Sequence, residues 1–197
     1  MKELQDYTGE YKPDFQFSNL SKEALVRLIE NYQRIFVGTC GMVYTVLREK
    51  FGNEEALRLW PDIYDRQIEQ FEVPLVREAM NIQGDDVVSM MKYFQTCPDG
   101  ARQGMYVYEC DIKNKDHALV TFTYCRSLFY FERHNDMQGI QTMCGPGGFE
   151  DRAFKAICKA FNPDMKSKAL KLPPRKSKDD TCCMWEFKVE RKGRGKV

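Results

Sequence analysis

The segment QTMCGPGGFEDRAF, residues 141–154, places Cys144 in a turn rich in glycine and proline, directly before a predicted helix. A cysteine acts as a nucleophile only as the thiolate, which a helix amino terminus or a nearby cation stabilises. The backbone amides of GPGG and the positive end of the helix beginning near Phe149 meet the first condition. The alternative is that Cys144 is a small apolar residue closing a loop, because free cysteine is among the most buried residue types.

Cys125 meets the other condition through neighbouring cations. Arg126 follows it directly, and Arg133 is close in sequence. Between this cysteine and the glycine-rich turn lie Glu132 and His134, and either would act as a general acid or base if the fold brought it to a thiol. An ordinary surface position is the alternative for His134. We therefore predict that the two thiols converge on one cavity.

A third group lies in the segment CMWEF near the end of the sequence, on a predicted strand. Strand alternation puts Trp185 and Phe187 on one face and Glu186 on the other. Glu186 would be an acid, a base or a ligand for a cationic group if it faced a cavity, and otherwise a solvated carboxylate. The predicted catalytic residues are Cys144, Cys125, Glu132 and His134, and the predicted substrate-binding residues are Arg126, Arg133, Cys183, Trp185 and Glu186.

Histidine is nearly absent, since only His117, predicted to be exposed, and His134 occur. Serine–histidine–aspartate triads and zinc enzymes rely on histidine, so a conventional form of either has few residues available. The cysteines are dispersed without CxxC pairs; a metal site assembled in space from Cys125, Cys144 and Cys183 stays open, and the sequence requires no cofactor. The CGPGG turn lacks the lysine and hydroxyl residue of a phosphate-binding P-loop.

The composition predicts a folded domain over residues 1–197, with residues 1–16 and 191–197 as flexible ends. Of the 197 residues, 43% are hydrophobic and 13% aromatic, enough to fill a core. The first residues form no apolar run typical of a signal peptide, and no stretch has the length of a membrane span. We expect a cytoplasmic protein without a membrane partner, whose eight cysteines are reduced.

Charge is distributed unevenly along the chain. From Lys166 to Val197 there are eleven lysines and arginines against four acidic residues, although the whole chain has a net charge of +1. Such a segment is typical either of docking to an acidic partner or of a solvated loop and tail. No stripe of aromatic residues among basic ones indicates nucleic-acid binding.

The first half of the sequence has helical periodicity. Apolar residues at spacings of three and four predict a helix beginning after Ser21 and extending as far as Gly52, with one buried face. A second helix is predicted from Asn53, with breaks or kinks at Pro61 and Pro74. A further helix fits the segment DDVVSMMKYFQT and ends at the turn CPDG.

The second half alternates like a sheet. GMYVYECDIK and HALVTFTYC predict an antiparallel hairpin with a turn at NKD, and MKSKALKL and CCMWEFKVE predict two more strands joined by the loop PPRKSKDD. Helices are predicted over SLFYFERH and FEDRAFKAICKAF. The predicted class is α+β, with N-terminal helices followed by a small antiparallel sheet and a packed helix.

With these residues laid out, the chain is similar to an uncharacterised bacterial and archaeal family related to the L-2-amino-thiazoline-4-carboxylate hydrolase-like proteins. The resemblance covers most of residues 17–190 and rests on Cys125, Glu132, Cys144, FNPD at 161–164, PPRKSKDD at 173–180, CMWEF with Cys183, Trp185, Glu186 and Phe187, and, in the first half, LREKFGNEEALRL and WPDIYDRQIEQFEVPLVREAM. It implies a fold similar to the 4-vinyl reductase and transport-particle ligand-binding domains, with a cysteine-lined pocket. Cys40 and Leu172 depart from the family pattern.

Three hypotheses follow for the function. The first is a small hydrolase of C–N or C–S bonds in a heterocyclic or amino-acid-like substrate, the activity that the resemblance implies, with a cysteine thiolate and a proton shuttle. The second is a non-catalytic domain that binds a small molecule, metal or cofactor in the same pocket. The third is an accessory subunit whose basic end docks a partner. Homo-oligomerisation and metal content stay open.

Overall fold

Helices occupy the first half of the chain and strands enter after residue 105, in a computed structural model that describes residues 3–100 and 105–190. The α-helices are α1 (Lys22–Phe51), α2 (Asn53–Gln67), α3 (Val73–Ala79), α4 (Val87–Thr96), α5 (Arg126–Arg133), α6 (Met137–Cys144) and α7 (Phe149–Phe161). The strands are β1 (Tyr106–Asn114), β2 (His117–Cys125), β3 (Met165–Lys171) and β4 (Cys183–Val189). The predicted α+β class is confirmed.

Helix α1 begins where the sequence predicts. The Ser21 hydroxyl accepts a hydrogen bond from the amide of Ala24 at 3.2 Å, and Gly52, with φ of 85°, ends the helix. Its two internal glycines do not interrupt it. The prediction of one buried face holds only in part, because Tyr32 and Ile35 are more than half exposed. Helix α1 packs chiefly on α2, and because this contact covers only a narrow stripe along the 30 residues of α1, the rest of the helix is exposed.

The two predicted proline breaks have different outcomes. Pro61 lies inside α2, which continues past it to residue 67. The chain then makes a π-helical turn over Ile68–Glu72, and Pro74 falls in the first turn of α3, where a missing amide hydrogen costs little. The π turn holds the buried Glu72 side chain toward the interior.

The four strands form one antiparallel sheet in the order β1-β2-β4-β3. The predicted hairpin is confirmed, with Asn114 opposite His117; the predicted first residue of its leading strand, Gly104, lies outside the described residues. Trp185 and Phe187 are wholly buried and Glu186 lies on the other face, as alternation predicts.

Helices α4 and α7 cover the inner face of the sheet. The Phe154 ring of α7 lies at its centre, with ring centroids 4.8 Å from Trp185, 5.4 Å from Phe187 and 5.9 Å from Phe122. This aromatic contact joins the helical half to the sheet in one hydrophobic core. Helix α6 was not predicted, since the sequence indicates only a turn around Cys144.

The ends of the chain differ in what the structure describes. The backbone of Leu4 pairs with the residues before α1, accepting from the amide of Ser21 at 2.9 Å, whereas the predicted flexible and basic tail, residues 191–197, lies outside the described residues. Among the helices of the described part, none has the length and apolar character that a membrane crossing requires.

Candidate functional site

Four thiols converge from distant points of the sequence. Cys125 ends β2, Cys144 ends α6, and Cys182 and Cys183 lie at the start of β4. All four line one small cavity of about 20 Å³, the cysteine cavity, together with Glu150 and mainly apolar side chains. The structure therefore places Cys125 and Cys144 at one cavity, as predicted.

The environment of these thiols opposes the thiolate. Burial, first, raises the pKa of both Cys125 and Cys144 well above the ordinary value of a thiol. The next largest effects also raise these pKa values: the charge of an ionised Cys144 acts on Cys125, and the charge of Glu150 acts on Cys144. Cys144 is the last residue of α6 and so lies at the carbonyl end of that helix, which disfavours a thiolate. Arg126 points into a different depression, described below, rather than to the thiols.

The carboxyl group of Glu150, a half-buried residue, borders the cysteine cavity. It occupies the first turn of α7, and its Oε1 accepts a hydrogen bond from the Tyr106 hydroxyl of β1 at 3.0 Å. Burial raises the pKa of Glu150 from its ordinary 4.5 to about 7, and the Tyr106 hydrogen bond lowers it by less. A carboxyl group in this state exchanges a proton near neutral pH.

Glu150 also faces two further cavities that contain other acids. The acidic cavity, of about 40 Å³, is lined by Glu72, Cys97, Asp99 and Glu150 among aromatic side chains. A cavity of about 30 Å³, the connecting cavity, is lined by Glu72, Asp99 and Glu150 and by Gln67. Burial and then the charge of Asp99 raise the pKa of Glu72 to about 7. Three carboxyl groups, those of the buried Glu72 and of the half-buried Asp99 and Glu150, thus line adjoining cavities.

An open groove of about 310 Å³ lies outside the connecting cavity. The two share Cys40, Trp60, Met105 and Ser127 as walls. The exposed side chain of Arg126 lines the groove, as does Tyr130. The groove is large enough for a small organic molecule, whereas each enclosed cavity has room for only one or a few waters.

Several predicted site residues lie elsewhere. Glu132 is bound by Arg175 of the 172–182 loop, with Nε 2.9 Å from Oε1, so this carboxylate anchors a loop. His134 is exposed, with Nδ1 2.8 Å from the carbonyl oxygen of Tyr130, and Arg133 is exposed beside it. None of Glu132, His134 and Arg133 lines the cysteine cavity, and His134 and Arg133 are exposed. After burial, the charge of Glu132 is among the causes that raise the pKa of Cys144 and Cys182, so this carboxylate acts on the thiols from outside their cavity.

The predicted group on β4 is divided between the two faces of the sheet. Cys183 and Trp185 line the cysteine cavity, and the indole Nε1 of Trp185 is buried without a hydrogen-bond partner in the described chain. Glu186 faces away and pairs with Nε2 of His117 at 2.9 Å, so its predicted role as an acid or ligand in this cavity is wrong. His117 is half-buried rather than exposed, because this ion pair covers it.

Sequence reasoning missed the buried acids although one signal was present. Glu150 precedes Ala153, Phe154 and Ile157 by three, four and seven residues, so it lies on the apolar face of α7. An acid at that position is buried, and buried acids are rare outside functional or paired sites.

The described residues contain one group of three or more histidine, cysteine, aspartate or glutamate side chains whose ligand atoms all lie within 4.8 Å of one another, namely Glu72, Cys97 and Asp99. The sulfur atoms of Cys125, Cys144 and Cys183, which the sequence left open as metal ligands, do not lie this close together.

Comparison of the chain with protein-family models, curated proteins and solved structures yields no match. The resemblance to the thiazoline-carboxylate hydrolase-like proteins therefore stays a prediction, and the function has to be argued from the geometry of the site.

Proposed function

We propose that this chain is a small cytoplasmic hydrolase that cleaves a C–N or C–S bond in a small heterocyclic or amino-acid-like substrate. The observation that carries the proposal is the position of Glu150, a half-buried residue whose carboxyl group borders the cysteine cavity and the cavity that adjoins the open groove. The substrate class comes from the resemblance, and the groove supports it through its size and through Arg126, which would hold a substrate carboxylate.

Glu150 would transfer the proton in this reaction. Water adds across the scissile bond, so that its hydroxyl group goes to carbon and its proton goes, by way of Glu150, to the departing nitrogen or sulfur. Tyr106, bonded to Oε1 at 3.0 Å, orients the carboxyl group. The reaction needs no thiolate, which suits the raised pKa values of Cys125 and Cys144.

The second candidate is a non-catalytic binding domain. It is favoured by the thiols of the cysteine cavity, which burial keeps protonated and therefore poor nucleophiles, and by the size of the open groove. The groove would then hold a ligand without turnover. The third hypothesis, docking of the basic end to an acidic partner, receives less support, since Lys171 and Arg175 are already paired with Asp180 and Glu132.

The test is hydrolysis of 2-amino-thiazoline-4-carboxylate and related five-membered heterocyclic carboxylates, followed by mass spectrometry of the ring-opened products. We expect Glu150→Gln to lower kcat by about 10²–10⁴-fold, the usual contribution of a general acid or base. Cys125→Ser and Cys144→Ser should each retain kcat within about 10-fold.

Glu186→Gln is the matched control, because this carboxylate lies on the opposite face of the sheet, and it should leave turnover unchanged. Full activity of Glu150→Gln would overturn the mechanism. Saturable binding of the same compounds without any product would favour the binding domain instead.

A further inference from the structure

Three side chains from separate parts of the fold meet at the acidic cavity with the spacing of metal ligands. Glu72 ends the π-helical turn, Cys97 follows α4, and Asp99 lies in the turn after it. The Sγ of Cys97 is 3.2 Å from Oδ1 of Asp99, and the ligand atoms of all three lie within 4.8 Å of one another. Two ligands of a tetrahedral zinc ion, one sulfur and one oxygen, are about 3.5 Å apart, so little movement is needed to close around an ion.

The side chains of Glu72, Cys97 and Asp99 bring negative charge together, and a cation would neutralise it. Glu72 and Cys97 are 6% and 2% exposed, and the groups that act most strongly on Glu72, Cys97 and Asp99 through their charge are one another and Glu150. No lysine or arginine of the described residues is among these groups. Burying acids together is costly unless they are protonated or bound to a cation. A divalent ion would neutralise the cluster.

A separate observation indicates a missing partner beside Glu72. The amide nitrogen of Gln67 donates to Oε2 of Glu72 at 3.1 Å, but the side-chain oxygen of Gln67 is buried with no hydrogen-bond partner among the described residues. Gln67, Glu72 and Asp99 all line the connecting cavity, which has room for at least one water. A water bound to an ion at Glu72 would donate to this oxygen.

We infer that Glu72, Cys97 and Asp99 form a binding site for one zinc ion. Two carboxylates and one thiolate suit the borderline softness of zinc, and three protein ligands with a free fourth position are typical of a catalytic rather than a structural zinc site. The adjoining acidic cavity of about 40 Å³ leaves space for water at the fourth position.

The residues around the three ligands are arranged to support them. The Tyr93 hydroxyl and the Gln67 amide each donate to a different oxygen of Glu72, which fixes the orientation of the carboxylate. Hydrogen bonds of this kind hold metal ligands in place, and their loss lowers metal affinity by about 10–100-fold. We therefore expect Tyr93→Phe to weaken binding within that range.

The experiment is titration of the chelator-treated full chain with Co²⁺, then displacement by Zn²⁺. One equivalent of Co²⁺ should bind and give a thiolate-to-cobalt charge-transfer band, which one equivalent of Zn²⁺ should remove. Cys97→Ala should abolish the band, and Asp99→Asn should weaken binding by at least about 100-fold, more than loss of an outer hydrogen bond does.

Cys158→Ala is the matched control, because this thiol is as buried as Cys97, at 1% exposed, but lies 3.8 Å from the sulfur of Met90 rather than among acids. It should retain the band and the stoichiometry. If Cys97→Ala does not fold, as judged by circular dichroism, the isosteric Asp99→Asn carries the test. Absence of stoichiometric uptake, or uptake unchanged by Cys97→Ala or Asp99→Asn, would overturn the inference. The readout is spectroscopic, so it is independent of whether the chain hydrolyses any substrate.

Discussion

Replacement of Glu150 by glutamine should stabilise the protein, and the gain should grow with pH. Burial raises the pKa of Glu150 from 4.5 to about 7 in the folded chain. Below the lower value the carboxyl group is protonated in both states. As pH rises between the two values, the unfolded chain ionises first and unfolding is favoured, until the folded carboxyl group also ionises and the penalty becomes constant.

The size of the effect follows from the shift. At about 1.4 kcal/mol for each unit, the penalty at pH above 7 is about 3 kcal/mol in the free energy of unfolding. Glutamine does not ionise, and its Oε1 can still accept the hydrogen bond from Tyr106. Glu150→Gln should therefore differ little from the wild type near pH 4.5 and exceed it by up to about 3 kcal/mol above pH 7.

The assay is urea denaturation of chelator-treated wild type and variant at several pH values, followed by circular dichroism. Glu186→Gln is the control, because it removes only a partly exposed ion pair, and it should change the free energy of unfolding by about 1 kcal/mol or less, with no gain above pH 7. A stability difference between Glu150→Gln and wild type that is the same at low and high pH would refute the argument, since it would mean that Glu150 has a similar pKa in both states.

Two further predictions concern the thiols and the core. Brief alkylation of the native protein should modify the exposed Cys110 well before the buried Cys144, as measured by mass spectrometry of peptides, and equal rates would contradict the enclosure of the cysteine cavity. Phe154→Ala should lower the free energy of unfolding by about 3–5 kcal/mol, because this ring joins α7 to three aromatic residues of the sheet; Phe129→Ala, at a position 49% exposed, should cost about 1 kcal/mol or less.

Much of the fold could be predicted because local signals agree with the tertiary structure. Ser21 caps α1, and strict alternation orients Trp185 and Phe187. Helix α6 was missed because Gly139 reduces its helical signal, although Asp136 supplies an ordinary amino-terminal cap at 2.7 Å. The glycine is needed there, since a Cβ atom would lie 2.3 Å from the Phe131 ring. That close approach depends on tertiary packing and has no local signature.

The site could be predicted only in part, for a similar reason. Thiol chemistry drew attention to Cys125 and Cys144, and these do share a cavity. The stabilising charges were inferred from sequence neighbours, but Arg126 and Glu132 point to the open groove and to Arg175 respectively. Neighbours along a chain at the junction of a strand and a helix diverge in space. Glu150, which does line the cysteine cavity, lies on α7, the helix that follows Cys144, and was not among the residues predicted for the site.

The position of Glu72 in the acidic cluster depends on one extra residue in the π-helical turn over Ile68–Glu72. A π turn is an α-helical turn carrying one extra residue, and each residue of a helix advances it by about 100°. Deleting one codon in this turn would regularise the helix and rotate Glu72 away from Cys97 and Asp99. The contacts of the Phe154 ring with the sheet do not involve this turn. A lineage of this fold could thus acquire or discard its interior carboxylate by one small insertion or deletion, with the architecture preserved.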